Sequence, residues 1–451
     1  MNIFKNKAKS FLDGYYYPCL ILLATLISHA LSIELLGIIT YTVTVGIGFI
    51  VCDDLKFLIS PLFMFTLMFS EKSVSAGVFY TTPYLVAIVI FAVFLATMIV
   101  IHFILNRKQI DFKCILKSKL FLGFAILCGA FLLNGFFNFD EYVFGNFTFA
   151  LFMIISLALI FFLFYVGLKF NEETKKYFMY VLLTVSILVT LELFLLFTNQ
   201  IRFVNGEIVK ESVMAGWGMW NNIGGMLAFL VPVHFYFAAT VKKYGFLFYG
   251  TGLVSYLAIV LTLSRSSLLV STGIIGLCAI ICCFWGENKK INRIITCGIA
   301  IIGILGIILL WDKISNILGD YLARGLDDNG RFDIYRRGIK NFLNNPIFGG
   351  GFHSVVAQEY EFVSFMPDKY HNTIIQMMGT CGIVGLLAYL FHRYQTIKVF
   401  LSNKSLYSVF CALCISAFLL TSLLDNHFFN IYPAFIYATI LVIIEKDGAK
   451  K

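Results

Sequence analysis

Apolar runs of about 17 to 25 residues, each long enough to cross a bilayer as a helix, recur along the whole chain. Hydrophobic residues make up 60% of the sequence and charged residues only 13%, which excludes an ordinary soluble enzyme. In lipid, a helix satisfies its own backbone hydrogen bonds. The sequence therefore predicts an all-α fold, a polytopic membrane helix bundle of about 12–14 transmembrane helices forming one integral membrane domain over residues 1–451.

The runs can be assigned one by one. The predicted spans are residues 15–31, 33–51, 55–70, 82–105, 119–137, 147–169, 176–198, 221–240, 245–263, 266–285, 292–311, 371–391, 405–424 and 428–445. The third run is short, and closely spaced runs leave the count between twelve and fourteen. We expect the first span to be retained, because no small-residue cleavage site follows it.

Lysine and arginine are distributed unevenly between the two sides of the predicted membrane. With the N-terminus inside, 23 of the 34 basic residues fall in inner segments, and seven of the others fall in one polar interval, residues 312–370. The positive-inside rule then predicts two cytoplasmic termini and a large extracytoplasmic loop at 312–370. The net charge of +9 does not indicate nucleic-acid binding, because the basic residues lie mostly between helices on one side.

The interval 312–370 is the longest break in the apolar pattern, which favours it as a place of chemistry or recognition. Within it, Arg331–Asn344 is predicted to form a short amphipathic helix. Its predicted apolar stripe consists of Phe332, Tyr335, Ile339 and Phe342. Gly349–Gly351 predicts a tight turn, and it lacks the Lys-Ser/Thr pair of a phosphate-binding loop.

Arg265 lies between two successive spans on the predicted outer side. An arginine at a membrane boundary is costly unless it is paired, hydrated or holding an anion. Ser264, Ser266 and Ser267 add hydroxyl groups at the start of the next helix, where the helix dipole also favours an anion. The residue alone leaves open an anion site and an arginine held by lipid headgroups.

The predicted loop helix contributes two further candidates, Arg331 and Arg336. Arg331 opens that helix and, together with Arg265, would suit a pyrophosphate, since guanidinium groups bind phosphate oxygens bidentately. The alternative is a solvated arginine paired with a nearby aspartate. Arg336 is a candidate for an additional anion contact, although its helix spacing also fits exposure to water or lipid phosphates.

His371 begins the span after the loop, at the predicted outer boundary. A neutral histidine can take a proton from a hydroxyl near pH 7, and Asn372 beside it could orient a substrate. A purely structural hydrogen bond is the alternative for His371. Asn221 and Asn222 suit a sugar or headgroup contact, or else helix capping beside an interfacial aromatic belt.

Other polar residues carry weaker signals. Glu192 and His234 lie inside predicted spans, where either could line a cavity or simply pack. Most of the eleven cysteines lie inside apolar runs, which favours packing over a disulfide framework or a metal role. We expect neither a metal site nor a cofactor.

Four segments, taken in order, resemble the O-antigen ligase / O-antigen polymerase family of bacterial membrane glycosyltransferases. They are Gly218–Gly225, Leu263–Ser267, Gly330–Tyr335 continuing to Asn345–Phe352, and His371–Asn372 followed by Gly379–Gly385. The resemblance covers about residues 215–395, while the first half of the chain is similar only as a hydrophobic bundle. Tyr335 stands where the family pattern has a tryptophan, and it remains a substrate-binding candidate.

The resemblance implies a glycan donor linked to undecaprenyl pyrophosphate and used at the outer face of the cytoplasmic membrane. It implies that Arg265, Arg331 and His371 matter most. In the expected reaction, the arginines hold the pyrophosphate, and His371 orients or deprotonates an acceptor hydroxyl that attacks with inversion. The expected partners are the membrane lipid bilayer and a flippase and chain-length regulator of the same pathway.

Three functions stay open at this stage. A polymerase joins lipid-linked repeat units, and the Phe-rich chain, with 49 phenylalanines, resembles polymerases of O-antigen or capsule clusters. A ligase transfers the finished chain to lipid A core. A flippase of lipid-linked sugars should instead place its ionisable residues near the membrane midplane and show internal symmetry.

Overall fold

The computed structural model describes residues 2–70, 84–138, 144–204, 207–309, 311, 315, 330–353 and 370–448. Much of the predicted outer loop, namely residues 312–314, 316–329 and 354–369, lies outside these residues. The structure is 81% helical, with seventeen α-helices in the described part of the chain. This confirms the predicted all-α polytopic helix bundle.

Nine helices make up the first part of the bundle. They are α1 Asn2–Leu12, α2 Tyr16–Leu31, α3 Glu34–Val51, α4 Ile59–Met64, α5 Tyr84–Leu105, α6 Phe121–Leu132, α7 Phe144–Ile154, α8 Ile160–Gly167 and α9 Glu172–Asn199. Single 3-10 segments at Lys56–Leu58, Phe65–Met68 and Phe112–Lys117 extend or join them. A π-helical turn, Ile155–Leu159, links α7 to α8.

Eight helices follow. They are α10 Trp220–Thr240, α11 Gly245–Leu261, α12 Arg265–Phe284, α13 Lys289–Leu309, α14 Arg331–Asn344, α15 Thr373–Leu401, α16 Leu406–Leu424 and α17 Ile431–Gly448. The 3-10 turn His427–Phe429 lies between α16 and α17. Helical structure therefore occupies all fourteen predicted apolar runs, and α14 has the predicted bounds of the amphipathic helix.

Eight helices of the described chain are long and apolar enough to cross a membrane, or nine if the bent pair Lys5–Leu12 and Tyr16–Leu31 forms one span. Other predicted spans contain shorter apolar helices, at Lys56–Met68, Phe121–Leu132 and Gly245–Leu261. A helix of 12 residues, such as α6, is only about 18 Å long, which is less than the hydrocarbon thickness.

Helix α10 lies at the centre of the bundle. In its most apolar window 83% of the residues are buried inside the protein, against 11% for α5, which exposes its side chains outward. It packs against α9, α11, α12 and α16. Asn221 and Asn222 lie in the first turn of α10, so the central helix of the bundle begins at the predicted site.

Two short antiparallel hairpins lie between α9 and α10, where the sequence predicted only a loop. Strand β1 Phe203–Val204 pairs with β2 Glu207–Ile208, and β3 Met214–Ala215 pairs with β4 Gly218–Met219. A 3-10 turn, Lys210–Ser212, lies between the two hairpins. The second hairpin leads directly into α10.

Helix α15 is broken at Gly382, whose φ of +65° is easily adopted only by glycine. At the break, carbonyl groups of α15 lack helical partners, and amide groups of the predicted turn Gly349–Gly351 donate to them. Gly350 N donates to Gly379 O at 2.9 Å, and Gly351 N donates to Thr380 O at 3.1 Å. Irregular backbone is tolerated at membrane depth only where protein covers it, so this turn and the break stabilise one another.

The face of α14 that contacts α15 differs from its predicted apolar stripe. A side chain at Gly338 would collide with Tyr370 and Ile375, and Asn341 Nδ2 donates to Tyr370 Oη at 3.1 Å. Phe332 and Ile339 of the stripe are 54% and 43% exposed. The face of α14 that packs against α15 is therefore formed by Gly338 and Asn341, and a pattern of apolar residues does not predict such a face.

Candidate active site

The three predicted catalytic residues all lie at the N-terminal end of a helix. Arg265 is the first residue of α12, Arg331 is the first of α14, and His371 is two residues before α15. The positive end of a helix dipole, with its free amide groups, favours negative charge. Three such helix ends carry cationic or basic side chains, which is a suitable environment for an anionic ligand.

The C-terminal end of α16 holds the arginine and histidine segments together. Its last carbonyl groups accept one side-chain hydrogen bond each. They are Ser422 O from Thr373 Oγ1 at 2.8 Å, Leu423 O from Asn372 Nδ2 at 2.9 Å, and Leu424 O from Arg331 Nη1 at 3.0 Å. Because these carbonyls lack helical partners, the donors cap α16 while they position α14 and α15.

The next residue along α16, Asp425, binds the histidine. His371 Nδ1 lies 2.8 Å from Asp425 Oδ1, and the same oxygen accepts from Asn426 N at 3.0 Å. The Asp425 side chain is 11% exposed and that of His371 is 32% exposed. The carboxylate is thus held inside the protein while the imidazole stays accessible, an arrangement that leaves Nε2 of His371 for a ligand.

Two of the helix starts depend on an uncommon backbone conformation. Leu263 has a φ of +56° and His371 a φ of +50°, a region that non-glycine residues seldom occupy. Leu263 comes two residues before α12, as His371 comes two residues before α15. Such strain costs on the order of 1–3 kcal/mol and is typically retained at functional sites, where the surrounding contacts impose it.

Asn372 acts as a helix cap as well as a contact to α16. Its Oδ1 accepts from Ile374 N at 2.9 Å and from Ile375 N at 3.1 Å. Both ends of the Asn372 amide are therefore bonded within the protein, and these bonds position His371, its neighbour. The second hydrogen of Nδ2 has no hydrogen-bond partner among the described residues, and contact of Asn372 with a substrate stays a prediction.

Asn221 and Asn222 are placed differently. Met219 stands at the N-cap of α10 and makes no side-chain capping bond, so the two amides lie within the first turn and do not cap the helix. Both side chains are half-buried at the helix end. The capping alternative is therefore wrong, and these side chains remain substrate-binding candidates.

Ser264 lies beneath Arg265. Its hydroxyl is buried, 2.9 Å from Ser267 Oγ, at the start of α12. Arg265 itself is exposed. The serines thus shape the turn that presents Arg265, and contact of Ser264 with a substrate stays a prediction.

The glycine pair of the α10 motif permits this assembly. A side chain at Gly224 would lie 2.8 Å from Thr262 Oγ1 and 2.9 Å from Ser267 Oγ, and one at Gly225 would collide with His427. Absence of side chains lets α10 approach both the Arg265 turn and the turn after Asp425. The spacing Asn221-Asn222-Ile-Gly-Gly225 therefore carries packing as well as polar groups.

Tyr335 and Arg336 complete the predicted set on α14. Tyr335 is half-buried, with its ring 6.1 Å from that of Phe332. The Arg336 side chain is 81% exposed and its Nη1 lies 3.3 Å from Asp333 Oδ1. Arg336 thus contacts a carboxylate of its own helix, whereas Arg331 reaches across to α16.

Glu192 and His234 are packed inside the bundle. Glu192 Oε2 accepts from Trp217 Nε1 at 2.9 Å and tethers the second hairpin to α9. His234 is fully buried, with Nδ1 2.9 Å from Thr251 Oγ1 and Nε2 2.9 Å from Ser186 Oγ. Both nitrogens are satisfied, so His234 is a structural core histidine.

Asp425 is the site residue that the sequence reasoning missed. It follows an apolar run, so it reads as an ordinary helix boundary. The polar group Asp425-Asn426-His427 could have indicated it. This group separates two spans on the side that the distribution of basic residues assigns to the outside. A carboxylate there is within reach of a histidine on the same side.

Residues 250–390 match the family model described as O-Antigen ligase. The matched region includes Arg265, Arg331 and His371, and it excludes Asn221, Asn222 and Asp425. No curated protein matches the chain. The family match confirms the resemblance found in the motifs over a narrower range than the predicted 215–395.

Proposed function

We propose that this chain, in which residues 250–390 match the family model described as O-Antigen ligase, is a polymerase that joins oligosaccharide repeat units linked to undecaprenyl pyrophosphate. The observation that carries the proposal is the assembly around the end of α16. There Arg331 binds Leu424 O and His371 binds Asp425, one residue further on. An anion-binding group and a base are thereby held side by side.

The two arginines supply the donor site. Both are helix-terminal, and a guanidinium group offers paired donors that match phosphate oxygens. Arg331 uses Nη1 for the Leu424 carbonyl and keeps its other donors for a ligand. In this proposal the arginines bind the pyrophosphate and stabilise the negative charge that develops on it as the glycosidic bond breaks.

His371 supplies the base. With Asp425 as an acceptor, the favoured tautomer carries its proton on Nδ1 and leaves the lone pair on Nε2. Nε2 takes the proton of an acceptor hydroxyl, and that oxygen forms the new bond to the anomeric carbon. The bond from this carbon to the phosphate oxygen breaks, undecaprenyl pyrophosphate leaves, and the configuration inverts. The Asp425 carboxylate stabilises the imidazolium formed in this step.

The proposed location follows from the charge distribution. Basic residues concentrated on one side favour cytoplasmic termini, which puts the ends of α12, α14 and α15 that carry Arg265, Arg331 and His371 at the outer face of the cytoplasmic membrane. A lipid-linked donor presents its sugar at that surface. The site and the proposed substrate therefore meet at the same depth.

The test is glycan profiling of a deletion strain complemented with wild type, Arg265→Ala, Arg331→Ala or His371→Ala. Arg202→Ala is the matched control, since Arg202 is an exposed residue directly before β1 of the first hairpin. Membrane levels of every variant are measured alongside. We expect single-repeat products without a ladder in the deletion strain and in the three site variants, and a full ladder with Arg202→Ala.

Two other results would change the proposal. A lipid-linked ladder that never reaches lipid A core identifies a ligase, the alternative that the same site chemistry supports. Unchanged surface glycan in all three site variants at wild-type protein levels would rule out the catalytic role and favour a flippase.

A further inference from the structure

Lys210 is a cation that neither the motifs nor the family match includes. It begins the 3-10 turn Lys210–Ser212 between the two hairpins, and its side chain is half-buried. The ammonium nitrogen lies 5.2 Å from the centre of the Trp220 ring. Since Trp220 is the first residue of α10, directly before Asn221, this cation–π contact fixes the ammonium at the end of the central helix.

Charged groups of the candidate site act on the Lys210 ammonium. Burial lowers its pKa below the ordinary value, and repulsion by Arg265 and Arg331 lowers it further. Glu211 and Asp425 raise the pKa and only partly offset these effects. The packing of α10 agrees, because Gly224 lies against Ser267 of the Arg265 turn and Gly225 lies against His427, close to Asp425 in the chain.

Two cations, Arg265 and Arg331, and two carboxylates, Glu211 and Asp425, are the described charges that act on Lys210, itself a third cation. Among the carboxylates that the structure describes, none forms an ion pair with Lys210, and Asp425 contacts His371. Three like charges held together repel one another, and burial adds to the cost of the ammonium. A ligand that carries two or more negative charges would relieve both effects.

We propose that Lys210 is a third cation of the donor site and binds the diphosphate of the lipid-linked donor together with Arg265 and Arg331. The inference rests on the proposed function and extends it to a residue outside the family match. A lysine provides a compact charge that complements the planar forks of the two arginines. Seated on Trp220, it would bind the diphosphate next to Asn221 and Asn222, where the sugar is expected.

The first test is equilibrium binding of undecaprenyl diphosphate and undecaprenyl monophosphate to the purified full-length protein in detergent. The variants are Lys210→Met, which keeps the length and removes the charge, and Lys210→Arg, which keeps the charge. Arg202→Met is the matched control, because it removes an exposed cation from the neighbouring hairpin. Thermal unfolding of each variant confirms that it is folded.

We expect wild type to bind the diphosphate more tightly than the monophosphate. Lys210→Met should weaken diphosphate binding by roughly tenfold or more, as expected for the loss of one charge-assisted contact. Lys210→Arg should restore most of the affinity, and Arg202→Met should leave it unchanged. If Lys210→Met binds the diphosphate as wild type does, the role of Lys210 is wrong while the donor proposal stands. If wild type itself shows no preference for the diphosphate, the proposed donor class is wrong as well.

The pH dependence of diphosphate affinity, compared between wild type and Lys210→Arg, is a second test. Lys210 binds an anion only when protonated, and its lowered pKa means that this charge is lost at a pH below the usual 10.5. Diphosphate affinity of wild type should therefore fall as the pH is raised from about 8 towards 10.5, while Lys210→Arg should retain its affinity over that range. Parallel pH profiles for the two proteins would contradict the proposal.

Discussion

His371 and His234 lie at opposite extremes of histidine environments in one bundle. His234 is fully buried on α10, and hydroxyl groups of Ser186 and Thr251 occupy both of its nitrogens. His371 has a side chain that is 32% exposed, a single bond from Nδ1 to Asp425 and a backbone φ of +50°. A saturated, buried imidazole has no means of exchanging a proton, whereas a half-open one with a fixed carboxylate partner has one.

The same contrast divides the other polar residues of the bundle into two groups. Residues that the bundle satisfies internally, such as His234 with Ser186 and Thr251, hold elements together. Arg331 and His371, at the starts of α14 and α15, each have one such partner in the described chain, the Leu424 carbonyl and the Asp425 carboxylate, and keep further polar atoms for a ligand. Four variants test whether this distinction between saturated and incompletely bonded groups predicts function.

The largest effect is expected from His371→Ala. Loss of a positioned base should lower turnover by about 10²- to 10⁴-fold, with the donor affinity nearly unchanged. Because the His371 side chain is partly exposed and the Asp425 carboxylate keeps its bond from Asn426 N, the thermal midpoint should change little. In vitro transfer from a lipid-linked donor, measured at equal protein level, gives the turnover. If His371→Ala has the turnover of wild type, His371 is not the base, and its contrast with His234 has no bearing on function.

Asp425→Asn should have the next largest effect. The amide keeps the shape of the carboxylate but can donate to Nδ1, which allows the wrong tautomer and orientation of His371. Misplacement of a base by about 1 Å costs roughly 10²-fold in turnover. The measurement separates kcat from KM, and we expect the loss in kcat. A change confined to KM would show that Asp425 serves donor binding instead.

Length and hydropathy were sufficient to predict the helices, because only a helix can satisfy the backbone across a bilayer. They did not predict the hairpins, whose strands of two residues have no readable period. The break at Gly382 also escaped prediction, since it depends on a turn about 30 residues earlier in the chain that supplies the missing hydrogen bonds. The predicted packing face of α14 was wrong for a related reason. Tyr370 and Ile375 pack against Gly338 because it has no side chain, and the apolar pattern does not register such a contact.

For the candidate site, motif resemblance proposed Arg265, Arg331 and His371, and the structure brings the last two to the same end of α16. The partners Asp425 and Lys210 were missed. Asp425 lies 54 residues after His371, and Lys210 joins the arginines only through folding of the hairpin region. Pairing of charges across the fold is a three-dimensional property that spacing along the chain does not encode.

His234→Ala should separate stability from activity. The substitution leaves the hydroxyls of Ser186 and Thr251 without their buried partner, at a cost of about 1–3 kcal/mol. We expect a lower thermal midpoint in detergent, with turnover per folded molecule within about twofold of wild type. A large drop in turnover without a change in the thermal midpoint would show that a saturated histidine can still act in the reaction, and the distinction would fail.

Arg336→Gln should have the smallest effect and bears directly on the limits of the donor site. Its guanidinium is exposed and contacts Asp333 one turn away, and exposed pairs of this kind contribute at most about 1 kcal/mol. Arg331, only five residues earlier on the same helix, reaches α16 instead, because a helix points residues five positions apart in different directions. We therefore expect wild-type turnover and donor affinity for Arg336→Gln, measured beside Arg331→Gln. A loss of donor affinity comparable to that of Arg331→Gln would mean that the anion site extends along α14, and that internal pairing of a charge does not mark it as structural.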